Sequence, residues 1–312
     1  MESAGTFLQE MLVLYGIALL GFVVRKKGIL NENTNDVLTQ LILYITLPAL
    51  ILYSLDISFS IDLLKEFMWL VSMSLYILLI SCFLAYWMKQ RSQLPEKQKS
   101  VYEGLIIFGN QGFIGYAISF ILLDEQGIVY LTMFNLYYLI LIWTYGIYLF
   151  SKNKNAIDWR TIVLNPGILS TLTGLSIFLL PISWPDMLAK GLDSVGKMTI
   201  PLSMMLIGSL VANVNYKDFI LLIKNTYLWK SAVTRLILIP VLLLPFAALS
   251  IPFSVLLIAV IVSGMPSAPT ISLYSQKFGG DTVFASFGTL LTTLLCIFTI
   301  PFLYLVVSML GK

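Results

Sequence analysis

Ser263–Leu273 reads SGMPSAPTISL. It follows Ile251–Val262, IPFSVLLIAVIV, an apolar run with the character of the first half of a membrane helix. Pro266 and Pro269 then fall near the middle of the span. Proline removes a backbone donor and clashes with the preceding turn of a helix. Broken backbone at membrane depth survives only where protein buries it or a cavity wets it. Gly264–Thr270, including Ala268, is therefore expected to face such a place.

A second interruption answers this one. Gly109–Gly115 reads GNQGFIG and breaks another run of isoleucine and leucine. If both segments unwind at mid-depth they cross there. Gly109, Gly112 and Gly264 are expected to allow the close approach, because glycine has no side chain to block it. Gly115 closes the first interruption, and Pro269 suits the first turn of the outgoing half-helix, where its missing N–H costs little. Each outgoing half-helix begins with free N–H groups at the positive end of its dipole, and these make an anion site without a buried arginine. Asn110, Gln111, Ser267 and Thr270 would add side-chain hydrogen bonds. The expected chemistry is non-covalent recognition of a small organic anion.

Composition places these segments in a bilayer. The chain has 312 residues, 58% hydrophobic and 11% charged, against about 25% charged for a soluble domain. The apolar runs approach the ~20 residues that cross a membrane as helix. Ten spans are expected, near 8–25, 37–56, 66–88, 101–123, 128–150, 162–182, 192–212, 228–250, 252–276 and 281–309. Basic residues gather in alternate connections: Arg25, Lys26 and Lys27, then Lys89, Arg91, Lys97 and Lys99, then Lys152, Lys154 and Arg160, then Lys217 and Lys224, then Lys277. Those connections should face the cytoplasm, which puts both termini outside. The acidic N-terminal stretch argues against a cleaved signal peptide, so the first span is expected to stay.

Several function classes drop out. A net charge of +3 spread over loops gives no nucleic-acid footprint. Cys82 and Cys296 lie inside apolar runs and imply no disulfide framework. Histidine is absent, which removes the commonest metal ligand and general base. No metal site, cofactor or enzymatic activity is expected. Among ionisable residues within spans, Glu103 and Arg235 are candidates for an ion pair, while snorkelling to the interface is the commoner outcome for a side chain such as Arg235. No carboxylate sits near the centre of a span, and the coupling ion is left open.

The two halves resemble each other. Span 2 carries Thr46–Pro48 and span 7 carries Thr199–Pro201, each followed by Ser-Leu, and spans 4 and 9 hold the two interruptions. A five-span unit repeated once enters the membrane from the opposite side the second time, so 1–155 and 156–312 are expected to be inverted repeats. Paired interrupted segments in such repeats mark the binding site of secondary transporters. Tyr53 in span 2 is a further candidate to line the anion cavity. Asn135 and Asn165–Pro166 are weaker polar candidates.

Gly109–Gly115, Pro266–Pro269, Pro48 and PLSMMLIG at Pro201–Gly208 together resemble the auxin efflux carrier family in its short bacterial form. The resemblance covers nearly the whole chain. It implies a scaffold of helices 1, 2, 6 and 7 (about 8–56 and 162–212) and a transport part of helices 3–5 and 8–10 (about 66–150 and 228–309). It implies a homodimer through helices 2 and 7, elevator-type movement of the crossing site, and a fold similar to the bile acid–sodium symporters. The family's crossover asparagine falls on Asn110. The second asparagine of the plant branch has no counterpart, since Ser267 or Met265 occupies that region. The expectation is an all-α polytopic carrier of mono- or dicarboxylates in the plasma membrane. The alternatives are a sodium-coupled carrier of bile-acid-like anions and a ligand sensor that does not transport.

Overall fold

The computed structural model describes residues 4–151, 160, 164–180, 182–212 and 224–310. The boundary at 155/156, and the loop residues Lys152, Lys154 and Lys217, lie outside the described residues. Among the described residues the regular structure is helical, and extended pairing is confined to a single bridge, Gly109 with Ser267. Cys82 and Cys296 are free thiols. The protein is an all-α polytopic membrane protein.

Among the described residues, seven helices are long and apolar enough to cross a bilayer: Phe7–Lys26, Glu32–Ser54, Ile61–Gln90, Gln111–Phe134, Asp186–Ala212, Thr226–Ala248 and Thr282–Leu310. Leu136–Ser151, Pro166–Leu179 and Phe253–Ser263 are apolar but shorter. Helix length alone therefore does not reproduce the expected ten spans, because several of them are interrupted. The span expected at 101–123 consists of a helix Glu96–Ile107, extended backbone, a widened turn at Gln111–Gly115 and the first part of Tyr116–Phe134. The span expected at 252–276 consists of Phe253–Ser263 and Thr270–Phe278.

Conversely, Gln111–Phe134 is no single rod. Helical geometry fails at Leu123 (φ −145°, ψ 20°) and at Asp124, whose φ is +51°. In a straight helix, residues sixteen apart lie about 24 Å from each other. Here the Tyr116 and Thr132 hydroxyls are 3.2 Å apart. The chain has doubled back, and a Cβ on Gly127 would fall 1.8 Å from the Ser119 carbonyl. The reversal sits in the LLDEQG connection between the fourth and fifth expected spans.

The contacts divide the chain into two compact units. The first comprises Met1–Lys65, Gly112–Met133 and Val163–Val214. Its first helix, Ala4–Lys26, lies along Thr199–Ala212. A Cβ on Gly208 would come within 1.7 Å of the Ala18 carbonyl, and one on Gly21 within 2.1 Å of the Met205 carbonyl. Small residues thus let the two backbones touch, the usual device of helix contacts in lipid. Pro48 follows a wide turn at Ile42–Thr46, where Leu47 N–H reaches back to the Ile42 carbonyl. Asn165 caps Pro166–Leu179, accepting from the Gly167 and Ile168 N–H groups at 3.0 and 3.3 Å. Its polar side chain is thereby explained by helix initiation.

The second unit comprises Glu66–Gln111, Phe134–Ile162 and Asn215–Lys312. Its centre is the helix Phe253–Ser263, buried on every side from Val255 onward, as an apolar-all-round helix must be. Thr270–Phe278 ends at Gly279, whose φ of +83° is the left-handed cap that favours glycine. Asp281 then opens the last helix, accepting from Phe284 N–H and from the Gln98 side chain, both at 2.9 Å.

Candidate functional site

Two interrupted helices meet inside the second unit. Glu96–Ile107 stops, and Phe108 takes extended geometry (φ −98°, ψ 112°). Phe253–Ser263 stops at Gly264. The freed backbones pair antiparallel: Asn110 N–H donates to the Pro266 carbonyl at 2.6 Å, and Ala268 N–H donates to the Phe108 carbonyl at 2.9 Å. Beyond the bridge the chains leave as the turn Gln111–Gly115 and the helix Thr270–Phe278. Pro269 stands immediately before Thr270 with helical angles (φ −57°, ψ −24°).

A buried helix end must place its last carbonyls, and every one at the end of Glu96–Ile107 is satisfied. The Gly104 carbonyl accepts from Phe108 N–H at 3.0 Å. The Leu105 carbonyl accepts from the Ser267 hydroxyl at 2.7 Å. The Ile106 and Ile107 carbonyls accept from Arg235 Nη1 at 3.5 and 3.0 Å. The same guanidinium reaches the other broken helix, where Nε donates to the Met265 carbonyl at 2.9 Å. Tyr138 donates its hydroxyl to the Gly109 carbonyl at 2.6 Å, and Ser267 N–H donates to Thr292 Oγ1 at 3.0 Å.

Arg235 is only 2% exposed, so it does not snorkel. Nor does it pair with Glu103. The ion pair expected between them is corrected: Glu103 is bound by the Lys89 ammonium and by the Tyr145 hydroxyl, the latter at 2.6 Å. The reason is economy of buried charge. Lys89 keeps part of its surface in contact with the outside, while Arg235 finds neutral carbonyl partners.

The glycines also act differently from the expectation. A Cβ on Gly109 would fall 1.9 Å from Arg235 Nη2, so the close neighbour is the guanidinium and not the crossing strand. A Cβ on Gly264 would meet Leu303 Cδ1 at 2.6 Å, and one on Gly112 would meet nothing within 4 Å. Gly115 is buried at the end of its turn.

Among the remaining candidates, Asn110, Gln111, Pro266, Ser267 and Ala268 are buried together at the bridge, and Thr270 is half-buried at the start of its helix. The Gln111 side-chain oxygen is buried and has no hydrogen-bond partner among the described residues. Asn135 interrupts its helix one turn before Tyr138, and its side-chain oxygen is likewise buried with no partner among the described residues. Tyr53 belongs to the first unit, half-buried on the helix Leu47–Ser54. Nothing in the sequence marks Tyr138 or Thr292, whose hydroxyls also serve the bridge. Tyrosine and threonine are unremarkable in apolar helices, and only the crossover gives their hydroxyls a task. Among the described residues no group of histidine, cysteine, aspartate or glutamate is arranged to hold a metal ion.

The family model described as "Membrane transport protein" matches residues 6–161 and 153–304. An uncharacterized transporter of Methanocaldococcus jannaschii is 24% identical over 207 residues, which cover 64% of this chain and 67% of the relative. With nearly its whole length matched, and with helices built to cross a bilayer, the chain belongs to the membrane transport proteins of the auxin efflux carrier family, which are transporters and not enzymes.

Proposed function

We propose that the protein is a secondary carrier of small organic anions, mono- or dicarboxylates, and that it alternates access to the crossover by an elevator-type slide. The observation that carries this reading is the antiparallel pairing of two unwound segments at Gly109 and Ser267, with a helix leaving on each side. The N–H groups at the starts of those outgoing helices favour negative charge. The unpartnered Gln111 side-chain oxygen adds a polar group that a ligand's hydroxyl or protonated carboxyl would satisfy.

The finer architecture belongs to the same proposal. Ten crossings form two inverted repeats, 1–155 and 156–312, with the termini outside and the chain in the plasma membrane. Helices near 8–56 and 162–212 form a scaffold that dimerises through helices 2 and 7, and 66–150 with 228–309 form the moving part. The clustering of Glu66–Gln111 with Phe134–Ile162 and Asn215–Lys312 supports that division, while Gly112–Met133 clusters with the first unit. The coupling ion stays open in this reading.

Counterflow in proteoliposomes tests it. Vesicles loaded with a panel of mono- and dicarboxylates should accelerate uptake of a labelled member of the panel, with and without sodium. Asn110→Ala and Pro269→Ala should abolish the exchange. Exchange of neutral or cationic compounds alone, or full exchange by both variants, would remove the crossover as an anion site.

A further inference from the structure

A buried arginine normally faces a carboxylate, because taking an unpaired charge out of water is expensive. Arg235 has none. Glu103, the acid that the sequence brings to mind, is engaged by Lys89 and Tyr145. The Arg235 guanidinium is held instead by three backbone carbonyls, Ile106 and Ile107 from one broken helix and Met265 from the other. Among the described residues its Nη2 has no hydrogen-bond partner, and it lies against Gly109.

These carbonyls sit at the carboxyl-terminal ends of the two incoming half-helices, where helix dipoles are negative. A guanidinium there does two things. It ties both ends to one rigid planar group, which fixes the angle at which the unwound segments cross. It also cancels the negative ends, so that the positive start of Thr270–Phe278, in the same unit, is left to dominate beside the bridge. We infer that Arg235 is the positioning residue of the crossover and the fixed charge that sets its preference for anions, and that Gly109 is glycine to make room for it. The charge part rests on the anion-carrier reading above; the Gly109–Arg235 coupling does not.

The experiment has two arms on the full chain. The first needs no substrate: melting temperatures in detergent for Gly109→Ala, Arg235→Gln and the double variant. Gly109→Ala should lower the melting temperature in the native background and leave it nearly unchanged beside Arg235→Gln, where no Nη2 remains to collide with the new Cβ. Additive losses would overturn the coupling. If Arg235→Gln does not fold, the same comparison is made beside Arg235→Lys.

The second arm is anion counterflow. Arg235→Lys keeps the charge and loses the fork, so turnover should fall at least tenfold with KM within threefold of native. Arg235→Gln should raise KM at least tenfold. Native KM in Arg235→Gln would overturn the charge role. If the native protein exchanges no anion, the carrier reading falls and takes the charge role with it, while the melting cycle still decides the coupling.

Discussion

The Ser267 hydroxyl donates to the Leu105 carbonyl at 2.7 Å, joining the middle of one interrupted helix to the last turn of the other. Ser267 is fully buried, and its own N–H is taken by Thr292 Oγ1 at 3.0 Å. Ser267→Ala leaves a buried carbonyl unsatisfied, which costs about 1–3 kcal/mol. Thr292→Val removes the acceptor for Ser267 N–H at a similar cost. Both act on one short segment, so the double variant should lose less than the sum. Thermal unfolding in detergent reads all three. Native stability in both single variants would mean that these bonds do not hold the crossing.

Gly288 faces the same carbonyl-bearing turn from the last helix. A Cβ there would lie 2.2 Å from Leu105 Cδ1. Gly288→Ala should destabilise by about 1–3 kcal/mol through overpacking. Leu105→Ala in the same chain removes the colliding methyl group and should recover part of the loss, although Leu105→Ala alone destabilises by leaving a cavity. The sign of that recovery is the test. A double variant worse than the sum of the singles would place the strain elsewhere.

The interruptions were legible because proline and glycine inside apolar runs have few other uses. Pro266, Pro269 and the glycines around Asn110 mark where helix cannot continue, and the backbone leaves helical geometry there. The groups that satisfy the freed backbone were not legible. Tyr138 and Thr292 come from distant parts of the chain, and no local pattern ties them to Gly109 or Ser267. The direction of Arg235 was undecidable for a similar reason: a long side chain can reach the interface, an acid or a helix end, and tertiary packing chooses. The count of spans by length misled in both directions, since Leu123–Asp124 reverses inside an apolar segment while Gly264 stops one short.

Tyr138 offers a milder perturbation of the crossover. Its hydroxyl donates to the Gly109 carbonyl at 2.6 Å, but that carbonyl also accepts from Gln111 N–H at 2.9 Å. Tyr138→Phe therefore leaves no orphaned acceptor. The expected loss of stability is about 1 kcal/mol, near the net value of one hydrogen bond. A loss of several kcal/mol in chemical unfolding would show that the phenol supports more than this carbonyl.

The Lys89–Glu103 pair gives the sharpest asymmetry. The Glu103 side chain is fully buried, while Lys89 is 21% exposed. Breaking a buried pair by removing one partner typically costs 3–5 kcal/mol, roughly, because the other charge is stranded. Lys89→Met strands the carboxylate with only the Tyr145 hydroxyl, which is 2.6 Å away. Glu103→Gln leaves a neutral amide that still accepts from Tyr145, and the freed ammonium can turn toward the surface, so its loss should be smaller. Combining the two removes both charges and should recover most of what Lys89→Met alone loses. The measurement is a double-mutant cycle of unfolding free energies in detergent. Equal losses for the two single variants, with strict additivity, would mean that Glu103 does not depend on Lys89 for its charge.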